Sequence, residues 1–128
     1  MVIAILAAET RPELQVILVE SDARKAAFLG TVARETQVKT RIHTTRVEVL
    51  APLDADVVSA RALAPLDVLL GYAERHLAPG GLALFPKGER AQAELDIARA
   101  RWRFSLQEHR SVTDPAAVIL AIEGLSRV

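Results

Sequence analysis

Gln15-Val16-Ile17-Leu18-Val19-Glu20, followed at once by Ser21-Asp22-Ala23-Arg24-Lys25, is the stretch on which the fold turns. A continuous apolar, β-branched run closed by an acid predicts a strand buried on both faces. Ser21-Asp22 offers side-chain oxygens to cap a helix, and the pattern from Ala23 to Glu35 supplies one. Ala26, Leu29, Val32 and Ala33, with Phe28 nearby, mark its inward side at helical spacing. Strand, polar turn and amphipathic helix in immediate succession form the repeating unit of an α/β protein.

The same alternation continues downstream. Val38 to His43 alternates as a strand, and Arg46-Val47-Glu48 begins a short connection or helical turn. Asp56 to Ser59 (DVVS) predicts another buried strand, and Pro65-Leu66 opens a helix running to His76. Pro79-Gly80-Gly81 predicts a turn, Leu82 to Phe85 a strand, and Pro86-Lys87-Gly88 its end. Glu89 to Arg101 predicts a helix with Leu95, Ile97 and Ala98 among its apolar positions. Trp102 to Glu108 and Ala117 to Ile122 follow as two strands joined through Thr113-Asp114-Pro115. Upstream, Met1 to Ala8 reads as a buried helix broken at Arg11-Pro12-Glu13. Alternation implies a mostly parallel sheet with helices on both faces, and the closing pair of strands an antiparallel hairpin at one edge. Neither an internal repeat nor a linker divides the 128 residues, so one domain is expected over 1–128.

Composition narrows the function. Hydrophobic residues at 51% and charged residues at 25% suit a soluble globular chain. Sixteen basic and sixteen acidic side chains cancel, which argues against a simple nucleic-acid coat but not against an enzyme with one basic face. Without cysteine there is neither a disulfide nor a thiolate metal site. His43, His76 and His109 lie far apart in sequence, so no metal centre is expected. The apolar opening lacks a basic leader and meets Glu9 and Arg11 at once, which argues against a signal peptide and for a cytoplasmic location.

In an open α/β sheet, ligands bind beyond the carboxyl ends of the strands. Polar residues stand at four such ends: Glu20-Ser21-Asp22, Arg46-Val47-Glu48, Ser59-Ala60-Arg61 and Lys87-Gly88. An acid in the position of Glu20 can accept both hydroxyls of a ribose; alternatively it favours the following helix through the helix dipole, a purpose Asp22 already serves. Structural readings stand beside the others as well. Glu48 suits a solvated acid early in a helix, Arg61 a partner for backbone carbonyls, Asp56 or Glu20, and Lys87 an exposed residue beside a turn.

Taken in order, LVESDARKAAFL, RVEVL, SARALAPLDVLL, APGG, PKG and AELDIA resemble the bacterial 16S rRNA guanine-N7 methyltransferase family (RsmG, also called glucose-inhibited division protein B). APGG alone is common among methyltransferases; ESDARKAAFL with SARALAPL and PKG is specific. The resemblance implies a Rossmann-like, S-adenosylmethionine-dependent methyltransferase fold acting on N7 of a guanine in 16S rRNA or the small ribosomal subunit. By position it places Glu20, Ser21 and Asp22 along the cofactor's ribose and Val47 and Glu48 at the adenine. Arg61 matches an arginine of the cofactor pocket that also faces the substrate. Lys87 matches a lysine at the end of the fifth strand, with a role at the RNA phosphate or target base. Arg61 and Lys87 are thus the catalytic candidates.

The family pattern also has a strand and a glycine-rich loop before the residues matching Met1 to Ile5. Their absence from these residues gives the expectation of an N-terminally truncated chain with weak cofactor binding. The missing strand is the central one of the family's sheet, between the strands of Val19 and Val57. Direct pairing of those two strands, or pairing across a homo-oligomer, is expected to compensate. The competing class is a non-catalytic Rossmann-like binding or interaction module.

Overall fold

The computed structural model describes Arg11 and residues 13–61 and 63–128, which fall into two compact units, Met1–Leu50 and Ala51–Val128. The helix expected over Met1 to Ala8, and Pro12, lie outside the described residues.

The first unit is a strand, a helix and a strand. Strand β1 (Ile17–Val19) pairs in parallel with β2 (Arg41–His43), and helix α1 (Ala23–Thr36) connects them. The ladder extends past β1, because the Glu20 N–H donates to the His43 carbonyl at 3.0 Å. At its other end the Val16 carbonyl accepts from the Arg41 N–H and the Thr40 hydroxyl. Asp22 caps α1 as its residue type predicts, and Gln37 ends it in the left-handed conformation with its N–H on the Ala33 and Arg34 carbonyls. Among the described residues of this unit only Ala26 is buried; Leu29, Val32 and Ala33 are half-buried and Phe28 is exposed. Nor is β1 buried on both faces: all three of its residues are half-buried, since a two-stranded sheet covers little of a strand's surface.

The second unit contains a four-stranded mixed sheet in the order β3-β4-β6-β5. Strand β3 (Ala55–Ser59) runs parallel to β4 (Leu77–Lys87), with helix α2 (Leu66–His76) between them in sequence. Helix α3 (Ala91–Arg99) leads to β5 (Trp102–Arg110), which pairs antiparallel with β6 (Val118–Arg127), and β6 pairs antiparallel with β4. The chain therefore closes on the expected hairpin, with β5 at the sheet's edge. The turn between them is tied by Ser111, whose Oγ accepts from the Thr113 and Asp114 N–H groups at 3.2 Å.

One core fills this unit. Leu66, Leu69, Leu70 and Ala73 line one face of α2, Leu95 and Ala98 one face of α3, and Ala83, Phe85, Leu120 and Ile122 one face of the sheet. Ile97 is 59% exposed, because it sits between Leu95 and Ala98 on the outward side of α3, where a helix advances 100° per residue. Pro79-Gly80-Gly81, expected as a turn, instead lies within strand β4 at an irregularity of its register. Pairing to β3 jumps from Leu77 to Leu82 while β3 advances only from Ala55 to Val57. Gly80 takes φ 77° there, and a Cβ on Gly81 would stand 2.8 Å from Leu77 Cδ2 and 2.9 Å from the Ala78 carbonyl. Within the first unit β1 has β2 as its hydrogen-bonded neighbour, and within the second β3 has β4, among the described strands.

Candidate functional site

The first unit positions Glu20 at the carboxyl end of β1. Its backbone is fixed by the bond to His43, and its side chain points at the turn into α1, where Oε2 accepts from the Asp22 N–H at 3.4 Å. That long contact uses little of a carboxylate's capacity of about four acceptor positions. Asp22 is committed: Oδ1 accepts from the Arg24 N–H at 2.8 Å and the Lys25 N–H at 3.2 Å, satisfying two donors of the first helical turn. Ser21 is exposed between them.

Residues 47–49 form a turn after β2, closed by the Val49 and Leu50 N–H groups on the Arg46 carbonyl. Val47 is half-buried. Glu48 is exposed and pairs with the Arg46 guanidinium at 3.3 Å, a solvent-screened contact of small energetic weight. Glu20, Ser21, Asp22, Val47 and Glu48 thus all belong to the first unit, at segments that follow the carboxyl ends of its two parallel strands.

In the second unit, Arg61 follows the carboxyl end of β3 and is exposed. It makes no ion pair with Asp56 or any other described residue of its unit. Lys87, at the end of β4, is not an exposed residue beside a turn. Its side chain is 9% exposed, and its ammonium donates to the Ala64 carbonyl at 3.0 Å and meets Glu94 Oε1 at 2.9 Å. The same Glu94 oxygen accepts from the Leu66 N–H at 2.8 Å. Glu94 was not among the residues singled out by sequence. Its signal was an acid in the first turn of the helix after Pro86-Lys87-Gly88, where the helix dipole favours negative charge.

Among the described residues no three or more histidine or acidic side chains gather where they could hold a metal ion. No described helix is long and apolar enough to cross a membrane.

Known proteins resemble this chain at both levels. The family model for GidB, rRNA small subunit methyltransferase G, matches residues 3–119. Ribosomal RNA small subunit methyltransferase G of Ruegeria sp. (strain TM1040) is 54% identical over 127 residues, covering 99% of this chain and 62% of the relative. The protein of the same description from Ruegeria pomeroyi is 53% identical over 128 residues, covering 100% of this chain and 63% of that one. The chain therefore spans somewhat less than two thirds of the length of these curated relatives. In structure it is similar to M. jannaschii TYW2 in complex with AdoMet, at TM-score 0.71 and 14% identity over 97% of this chain and 63% of that one. It is also similar to the N-methyltransferase NodS from Bradyrhizobium japonicum in complex with S-adenosyl-L-homocysteine, at TM-score 0.62 and 11% identity over 94% of this chain and 73% of that one. At such identities the likeness is one of fold, an α/β methyltransferase-like arrangement with mixed strand pairing. With the family model matched over most of its residues, the chain belongs to the GidB family of rRNA small subunit methyltransferase G proteins.

Proposed function

We propose that these residues form the greater part of an S-adenosylmethionine-dependent methyltransferase domain acting on N7 of a guanine in 16S rRNA. The observation that carries the cofactor assignment is the division of labour between Glu20 and Asp22. Asp22 caps the helix, which leaves the Glu20 carboxylate at the strand end with acceptor positions to spare. A vicinal diol presents two O–H donors, and a carboxylate is the acceptor-only group that matches them. The chemistry of this donor set therefore fits a ribose. In this reading Glu20 holds the ribose, Ser21 and the backbone of the Glu20–Asp22 turn border it, and Val47 and Glu48 border the adenine.

S-adenosylmethionine, when bound, supplies an electrophilic methyl group. Guanine N7 carries an in-plane lone pair and needs no proton removed before attack, so the protein's work is alignment and exclusion of water. Arginine is a common partner for the O6 and N7 edge of guanine. Arg61 is exposed and free of ion pairs among the described residues, and it is the side chain we assign to the substrate. Lys87 serves the target indirectly in this reading, because its ammonium already has two acceptors.

Calorimetric titration of S-adenosylmethionine tests the ribose assignment, with binding weakened about tenfold or more in Glu20→Ala as the expected result. Equal binding by both would overturn the ribose assignment. Exchanging residues 1–128 for the matched segment of the Ruegeria pomeroyi relative tests the activity. Transfer of a labelled methyl group to guanine N7 of 16S rRNA is expected; a folded, cofactor-binding chimera that transfers none would instead favour a non-catalytic Rossmann-like module.

A further inference from the structure

We propose that Glu94 is a positioning residue, which together with Lys87 fixes the backbone segment bearing Arg61; its functional consequence rests on the assignment of Arg61 to the substrate. Lys87, Glu94, Ala64 and Leu66 all lie within the second unit. Segment 60–65 joins β3 to α2, and its described residues, 60, 61 and 63–65, contain no regular structure. Pro65, which caps α2, has no side-chain oxygen or nitrogen to offer, so the first N–H groups of the helix receive no local side-chain acceptor. Glu94 supplies one from another helix: its Oε1 accepts the Leu66 N–H at 2.8 Å.

Lys87 grips the same segment two residues earlier, at the Ala64 carbonyl, and the two side chains are joined to each other at 2.9 Å. The segment is therefore held by one donor and one acceptor from a single ion pair. The end of β4 supplies the cation and the first turn of α3 the anion. Charge strengthens each bond relative to a neutral one, and the low exposure of Lys87 limits screening by water. Leu66 itself is fully buried, so its amide has no route to solvent as an alternative partner without local opening. Arg61, five residues before this anchor, is the exposed side chain whose backbone the pair steadies.

Amide hydrogen exchange and rRNA binding on the chain and on Glu94→Gln, Glu94→Ala, Arg61→Ala and the Glu94→Ala/Arg61→Ala double variant test this. In Glu94→Ala, protection of the Leu66 amide is expected to fall about tenfold or more, while Leu120 and Ile122 in the sheet keep theirs. Glu94→Gln retains an oxygen for Leu66 and is expected to restore most of that protection. Unchanged Leu66 protection in Glu94→Ala, or a uniform loss that includes Leu120 and Ile122, overturns the positioning role. For affinity to 16S rRNA, Arg61→Ala and Glu94→Ala are each expected to weaken binding, and the double variant no further than Arg61→Ala. Additive losses overturn the coupling to Arg61. No loss in Arg61→Ala overturns the substrate assignment instead, and the exchange arm then decides the positioning role by itself.

Discussion

The amide of Asp22 donates to the carboxylate of Glu20, and the carboxylate of Asp22 in turn accepts the amides of Arg24 and Lys25. Two acids two residues apart thus divide two tasks that either residue type could perform. Asp22 is drawn into the helix terminus, where short side chains reach the second and third amides. Glu20 stays at the strand end with a longer side chain and a single long internal bond.

Removing the Glu20 carboxylate should therefore reach ligand binding and spare the fold. Glu20→Ala is expected to weaken S-adenosylmethionine binding by about tenfold or more, the weight of hydrogen bonds to a charged group. The thermal midpoint should stay within a degree or two of the parent by circular dichroism, since surface changes away from a structural contact alter stability little.

Asp22→Ala should behave in the opposite way. Loss of the cap is expected to destabilise α1 by about 1 kcal/mol, with Asp22→Asn recovering most of it. Exchange protection along Ala26 to Gly30 reports the change directly. If Asp22→Ala abolishes cofactor binding while leaving those amides protected, Asp22 is itself a ligand residue.

The irregularity within β4 has its own test. Gly81→Ala forces a Cβ against Leu77 Cδ2 at 2.8 Å and the Ala78 carbonyl at 2.9 Å, and the Ala55 carbonyl stands only 3.2 Å away. Backbone atoms cannot yield as a flexible side chain does, so a loss of about 1–3 kcal/mol is expected in denaturant unfolding. Gly80→Ala meets open space but keeps a left-handed φ of 77°, and should cost about 1 kcal/mol.

At the far edge of the sheet the Arg127 guanidinium lies 4.5 Å over the Trp102 ring and 3.2 Å from the Glu74 carboxylate. Arg127→Ala removes both contacts and should destabilise by about 0.5–1 kcal/mol at low salt, with a shift in Trp102 fluorescence. Glu74→Ala, which removes only the exposed ion pair, should cost less and leave the emission unchanged.

The sequence by itself determined the order of elements in both units, because each is encoded by its neighbours. The β-branched run of β1, the acid capping α1, and the spacing of Leu66, Leu69, Leu70 and Ala73 all act over a few residues. The residue classes at strand ends were legible for the same reason: a strand that stops exposes whatever follows it. Tertiary structure alone decided how those residues are used. Ile97 faces outward, β1 is only half-covered, and Lys87 is enclosed rather than exposed. Glu94 meets Leu66 across 28 positions of chain, a bond no local pattern announces, since a side-chain acceptor can serve any donor the fold carries to it. Which charged group is spent on the fold and which remains for a ligand is settled by what packs around it, and that is a property of the folded chain.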